Sequence, residues 1–96
     1  MTSHWVQWHE GYERAGSTQA QRLEAVVGLL RAVFDATPAG PVRVLSLCSG
    51  DGRDLAGSLA GRPRASDVSG LLVEADPALA AAAEANLAGV APGLAV

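Results

Sequence analysis

Residues 42–54 restrict the fold of this chain more than any other stretch. They read Val-Arg-Val-Leu-Ser-Leu-Cys-Ser-Gly-Asp-Gly-Arg-Asp. Val42, Val44, Leu45 and Leu47 form a short β-branched and aliphatic run with the character of a buried strand. The small and flexible residues Cys48, Ser49, Gly50, Asp51 and Gly52 interrupt it, and a helix is predicted at once over residues 53–60. Strand, glycine turn and helix in succession are how an α/β sheet presents backbone N–H groups to a ligand. Glycine is needed in such a turn because a Cβ would block the ligand's approach or forbid a positive φ.

The remaining chain arranges itself around that unit. Upstream, Thr18 and Gln21 have the spacing of a capping box. Leu23, Val26, Val27, Leu30, Val33 and Phe34 then recur at steps of three and four, tracing the apolar face of a helix. Arg22, Glu24, Arg31 and Asp35 occupy the other face, and Pro38, Gly40 and Pro41 end it. This helix is expected to cover one face of a sheet and to carry no chemistry. Downstream, the helix at 53–60 closes at Gly61, and Arg62, Pro63 and Arg64 read as a solvated loop. Residues 70–75 form a second strand around Leu71, Leu72 and Val73. Asp76 before Pro77 is a helix start, since Asp caps free N–H groups and Pro suits the first helical position. The third helix, Pro77–Ala88, is alanine-rich and ends at Gly89; Pro92 and Gly93 then turn the chain into Leu94, Ala95 and Val96, the opening of a third strand.

Two strands joined by a helix within about thirty residues make a βαβ unit with parallel strands. The expected fold class is therefore α/β, the front part of a doubly wound parallel sheet. Its order is helix, strand, helix, strand, helix and the start of a third strand, over residues 17–96. Residues 1–16 stand apart as an aromatic arm, with Trp5, Trp8 and Tyr12 at steps of three and four and His4 and His9 among them. The arm reads as a packing element or, alternatively, as a lid over a cleft.

Composition excludes several classes. At 49% hydrophobic and 18% charged the chain is globular and not disordered. A net charge of −3, with seven basic residues scattered along the chain, leaves no electrostatic footprint for nucleic acid. No apolar run approaches the roughly 20 residues of a membrane span, and the N-terminus lacks the blocks of a signal peptide. Cys48 is the single cysteine, which forms no internal disulfide and fits a reducing compartment; the cytoplasm is expected. His4 and His9, five residues apart, lack the spacing of a helical zinc pair, so no metal is expected. Nor does their spacing make either one a base for a Cys48 nucleophile.

Function rests on two features taken together, the Gly50-Asp51-Gly52 turn and the acid Glu74 at the end of the second strand. Both belong at the carboxyl ends of neighbouring parallel strands, where open sheets bind ligands. Glu74 follows Gly52 by 22 residues, close to the roughly 20 between a glycine turn and a ribose-binding acid in dinucleotide folds. A carboxylate there accepts hydrogen bonds from both vicinal hydroxyls of a ribose. The dinucleotide fingerprint itself fails, because Leu55 stands at the third glycine, and no Gly-Lys-Ser or Gly-Lys-Thr of a P-loop follows. A nucleoside without phosphates suits this turn best.

Residues 44–55 resemble the first motif of Rossmann-like S-adenosylmethionine-dependent methyltransferases. Leu72-Val73-Glu74-Ala75-Asp76-Pro77 is similar to that family's second-strand motif, with its acid three residues before a proline. The amphipathic helix before the first strand and the Ala-Asn-Leu ending of the third helix also match. The resemblance covers residues 18–96, the front half of such a domain. It implies S-adenosylmethionine as cofactor, with Ser46, Cys48, Ser49, Gly50, Asp51, Gly52, Glu74 and Asp76 as the binding set. Gly50 and Gly52 would admit the methionine part and ribose to the backbone, Glu74 would hold the ribose hydroxyls, and Asp76 or Ala75 would lie near the adenine. Two positions depart from the family. Ser46 stands where an acid usually helps hold the cofactor's amino group, with Asp51 or Asp54 as conjectural substitutes, and Cys48 stands where glycine is usual. The family's residues after its third and fourth strands have no counterpart, so the catalytic residues and the methyl acceptor stay unassigned, and the open strand edge invites self-association. The alternatives are a non-catalytic nucleotide-binding module, a fragment of an NAD(P)-dependent oxidoreductase, which Leu55 disfavours, and a purely structural remnant.

Overall fold

The computed structural model describes residues 16–96, and the aromatic arm with Trp5, Trp8, Tyr12 and both histidines lies outside the described residues. The elements are α1 (Thr18–Ala36), β1 (Val42–Leu47), α2 (Arg53–Leu59), a 3-10 segment (Pro63–Asp67), β2 (Val68–Val73), α3 (Pro77–Ala88) and β3 (Leu94–Ala95). The strands form one parallel sheet in the order β1-β2-β3, with Val42 beside Val68, Leu47 beside Val73 and Gly70 beside Leu94. The fold is the expected α/β class, a partial Rossmann-like arrangement of three helices interleaved with three parallel strands. Among the described residues no helix is long and apolar enough to cross a membrane.

Helix α1 is capped by Ser17 and not by the predicted Thr18. Ser17 takes the extended backbone a cap requires, and its Oγ accepts from the Ala20 N–H at 3.1 Å. Gln21 reaches back to donate from Nε2 to the Gly16 carbonyl at 3.2 Å. At the other end the Thr37 hydroxyl donates to the Val33 carbonyl at 2.7 Å, and Pro38 prevents continuation.

The solvated-loop reading of residues 62–64 is corrected by the structure. Pro63 opens a 3-10 turn that aims Arg64 at the C-terminal end of α1. Its Nη1 donates to the carbonyls of Phe34 (3.0 Å) and Thr37 (2.5 Å), and its Nη2 to those of Pro38 (3.0 Å) and Gly40 (3.3 Å). Arg62 Nη2 lies 2.8 Å from both carboxylate oxygens of Asp35. Carbonyls left over at a helix terminus need donors, and a planar guanidinium supplies several at once.

Strand β2 runs from Val68 to Val73, two residues earlier than predicted at each end. Val68 is buried, which draws the strand start back to the 3-10 turn. Gly70 sits so close to β1 that an added Cβ would stand 1.9 Å from the Val44 carbonyl oxygen. Ending the strand at Val73 leaves Glu74 and Ala75 in the turn beyond it.

The two faces of the sheet differ. Val68, Leu72 and Leu94 share one core with Leu55 and Leu59 of α2, Ala83 and Leu87 of α3 and Phe34 of α1. Leu45, Leu47, Leu71 and Val73 project from the opposite face and are exposed. Leu71 is 47% exposed while its neighbour Leu72 is 1% exposed, the alternation a pleated strand imposes when only one face is covered. Helix α1 lies against α2, where Val27 Cγ2 approaches Gly57. It therefore buries only part of its predicted apolar face, and Val26, Leu29 and Val33 remain exposed.

Candidate functional site

The loop after β1 is shaped by three left-handed residues, Cys48 (φ 53°), Gly50 (φ 61°) and Gly52 (φ 70°). Cys48 is the only non-glycine residue of the described chain with positive φ. That conformation is what makes a glycine natural at this position, because a Cβ there is strained by about 1–2 kcal/mol. The loop is held in place by its neighbours. The Ser49 N–H donates to the Val73 carbonyl at 3.1 Å, the Gly52 N–H to the Ser49 carbonyl at 3.2 Å, and Asn86 Nδ2 of α3 to the Asp51 carbonyl at 2.9 Å.

Glu74 faces this loop across the carboxyl ends of β1 and β2. Its Oε1 accepts from the Gly50 N–H at 2.8 Å, and its Oε2 from the Asp76 N–H at 2.9 Å. Each carboxylate oxygen carries two lone pairs, so one acceptor site per oxygen is left for a ligand. The two backbone bonds orient the group. Asp76 caps α3, accepting through Oδ1 from the N–H groups of Ala78 (2.9 Å) and Leu79 (3.2 Å), with Pro77 at the first helical position as predicted.

Above these tips opens a cleft of about 1020 Å³. Cys48, Ser49 and Gly50 line it from the first loop, and Glu74, Ala75 and Asp76 from the second. Ser49 Oγ is buried and has no hydrogen-bond partner among the described residues. The thiol of Cys48 is exposed.

Three residues of the expected binding set lie away from the cleft lining. Ser46 shares the covered face of β1, in register with Leu72. Asp51 is 4% exposed and turned inward, where Oδ2 meets Arg53 Nε at 2.6 Å and Oδ1 accepts the Arg53 N–H at 3.2 Å. Gly52 caps α2, and an added Cβ would lie 3.3–3.4 Å from Leu72, Ala83 and Leu87, so this glycine serves the core. Gly50 alone of the pair faces the cleft.

The structure adds residues that sequence reasoning set aside. Arg22, Leu23 and Val26 of α1 form one wall, and Arg53 and Asp54 of α2 another part of it. Helix α1 therefore contributes to the site, contrary to its reading as a plain cover. Topology held the signal: a helix joined to β1 by a short turn runs antiparallel to it, so it begins at the carboxyl end of the sheet. Asn86 is marked in the sequence only as part of the Ala-Asn-Leu ending of the third helix, with nothing to tie it to the loop after β1. Among the described residues no three His, Cys, Asp or Glu side chains converge as metal ligands.

Compared with protein-family models, curated proteins and solved structures, the chain finds no match in any of the three.

Proposed function

We propose that the cleft binds S-adenosylmethionine and that the chain is the cofactor-binding part of a methyltransferase. The observation that carries this reading is the placement of Glu74, a carboxylate bonded to the Gly50 N–H and facing the cleft beside bare backbone. Its remaining lone pairs suit two vicinal hydroxyls of a ribose. Ser49, with its buried hydroxyl unpartnered, supplies a further donor or acceptor once its side chain rotates toward a ligand. Cys48 and Gly50 bring backbone to the cleft surface, and Ala75 with Asp76 borders the side where a base would lie.

When bound, the cofactor supplies a methyl group activated on a sulfonium. The protein's task is to fix that group's position so that a nucleophile approaches in line. Among the described residues nothing else is assigned to the reaction, and the acceptor is left open. Leu55, buried in the core at the position of a third glycine, weighs against a dinucleotide.

Titration calorimetry with S-adenosylmethionine, S-adenosylhomocysteine and NAD tests the reading. Binding of the first two without NAD is the expected result. NAD binding alone turns the proposal over to the oxidoreductase alternative.

A further inference from the structure

We propose that the aromatic arm of residues 1–15 docks on the exposed apolar row of α1, seating Trp5, Trp8 and Tyr12 against Val26, Leu29 and Val33. The inference stands apart from the nucleoside reading of the cleft, and a failure of that reading leaves it untouched.

The row owes its exposure to the geometry of the fold. Helix α1 packs on α2 and α2 on α3, over a sheet in which β1 is an edge strand. Packed helices lie roughly 8–10 Å apart and paired strands about 4.8 Å apart, so the outer helices overhang the edges of the sheet. Beyond β1 the overhanging helix is α1. Its Val27 meets Gly57, and Arg31 Nη2 donates to the Gly57 carbonyl at 3.0 Å, so that flank is taken by α2. At about 100° per residue, Val26, Leu29 and Val33 fall together on the flank turned away from α2. They are 41%, 68% and 60% exposed, and among the described residues no element covers them.

The length of the arm and the point where it ends name the occupant. Trp5, Trp8 and Tyr12 have the same spacing as Val26, Leu29 and Val33, and either set spans about 10.5 Å along a helix. The arm joins α1 at Gly16, whose φ of 75° lets the chain reverse before the Ser17 cap. Val26 stands about 12 Å beyond the first residue of α1. The stretch from Tyr12 to Ser17 extends to roughly 16 Å, so Tyr12 reaches Val26. A helical arm running antiparallel to α1 from there brings Trp8 to Leu29 and Trp5 to Val33. Anchors at i, i+3 and i+7 are how an amphipathic helix is held on an apolar surface. Composition agrees, since the core contains one aromatic, Phe34, and the other three all belong to the arm.

Trp5 and Trp8 are the only tryptophans of the chain, so its intrinsic tryptophan fluorescence reports on the arm alone. The test is acrylamide quenching of the full chain, native and in urea, on wild type, Leu29→Glu, Val33→Gln and Leu71→Gln. In the native wild type the two indoles should be quenched severalfold less readily than in urea, at every protein concentration. Leu29→Glu should bring quenching close to the urea value and shift the emission to the red, with Val33→Gln moving the same way by less. Circular dichroism should show the helices intact, because both residues are exposed and outside the core. Leu71, on the bare face of the sheet and off the row, is the control, and Leu71→Gln should leave the fluorescence unchanged. Native quenching as ready as in urea, or protection kept in both α1 variants, overturns the proposal. So does protection lost on dilution, which assigns the cover to a second copy, and protection lost in Leu71→Gln, which moves the arm onto the sheet.

Discussion

The two ends of the sheet use polar groups in opposite ways. At the amino end, Arg64 donates to four carbonyls between Phe34 and Gly40, and Arg62 closes on Asp35. Arg64 Nε is the exception, buried without a hydrogen bond and 3.5 Å from Asp67 Oδ2, and the remaining donors tie down the join between α1, β1 and β2. At the carboxyl end, Cys48 holds a left-handed φ, Ser49 Oγ is buried without a partner, and Arg22 projects unengaged. Left-handed strain and unengaged groups facing a cleft at one end, beside guanidinium groups bonded to carbonyls and a carboxylate at the other, fit the proposal that the first rim binds a ligand and the second is structural.

The largest effect is expected at the amino end. Arg64→Ala leaves the end of α1 without its donors, and urea unfolding should show a loss of about 3 kcal/mol. Cofactor affinity should not change; a parallel fall would mean the two ends are coupled and the contrast is false. Next in size is Glu74→Gln, which keeps one acceptor oxygen but removes the charge. Affinity for S-adenosylhomocysteine should drop by about 2 kcal/mol in calorimetry, and an unaltered value would confine Glu74 to holding the loop.

Ser49→Ala sharpens the comparison because its two readouts move oppositely. Removing a buried hydroxyl that bonds to nothing should stabilise the free protein by about 1 kcal/mol. The same variant should bind the cofactor more weakly. A destabilised variant would show that the hydroxyl is satisfied after all. Cys48→Gly should change least. Relief of the left-handed strain is largely offset by the added freedom of glycine in the unfolded chain, leaving a gain of about 0.5 kcal/mol. A clear loss in melting temperature would mean that the side chain packs usefully despite its backbone.

The covered and bare faces of the sheet add a second contrast. Leu71 and Leu72 are chemically identical neighbours, yet one is exposed and the other sits in the core. The apolar run was legible, but which of its residues would be covered was not, because that depends on which side α2 and α3 lie. The same limit explains Val26 and Val33. Both belong to the periodic face of α1, and both stay exposed because the helix rests on α2 instead of spanning the sheet.

Much of the candidate site could be read from residue order, since its chemistry is local. Asp76 caps groups two and three residues ahead, and α3 runs over the predicted Pro77–Ala88. The turn glycines and the acid closing the second apolar run were also recognisable. Asp51 misled because an acid in such a turn looks available, whereas its inward rotation toward Arg53 depends on how the loop sits on α3. Arg64 misled for a related reason. Its partners are backbone carbonyls 24–30 residues upstream, which carry no side-chain signature.

By itself, then, the sequence determined the alternation of helices and parallel strands, the caps, and the two loop tips, because each follows from hydrogen bonds and sterics within a few residues. Tertiary structure alone decided which groups meet across longer separations: Gly50 with Glu74, Asn86 with the Asp51 carbonyl, and Arg22 with the cleft. Those meetings depend on how helices seat against the sheet, and seating is set by the summed packing of many side chains that no single stretch encodes.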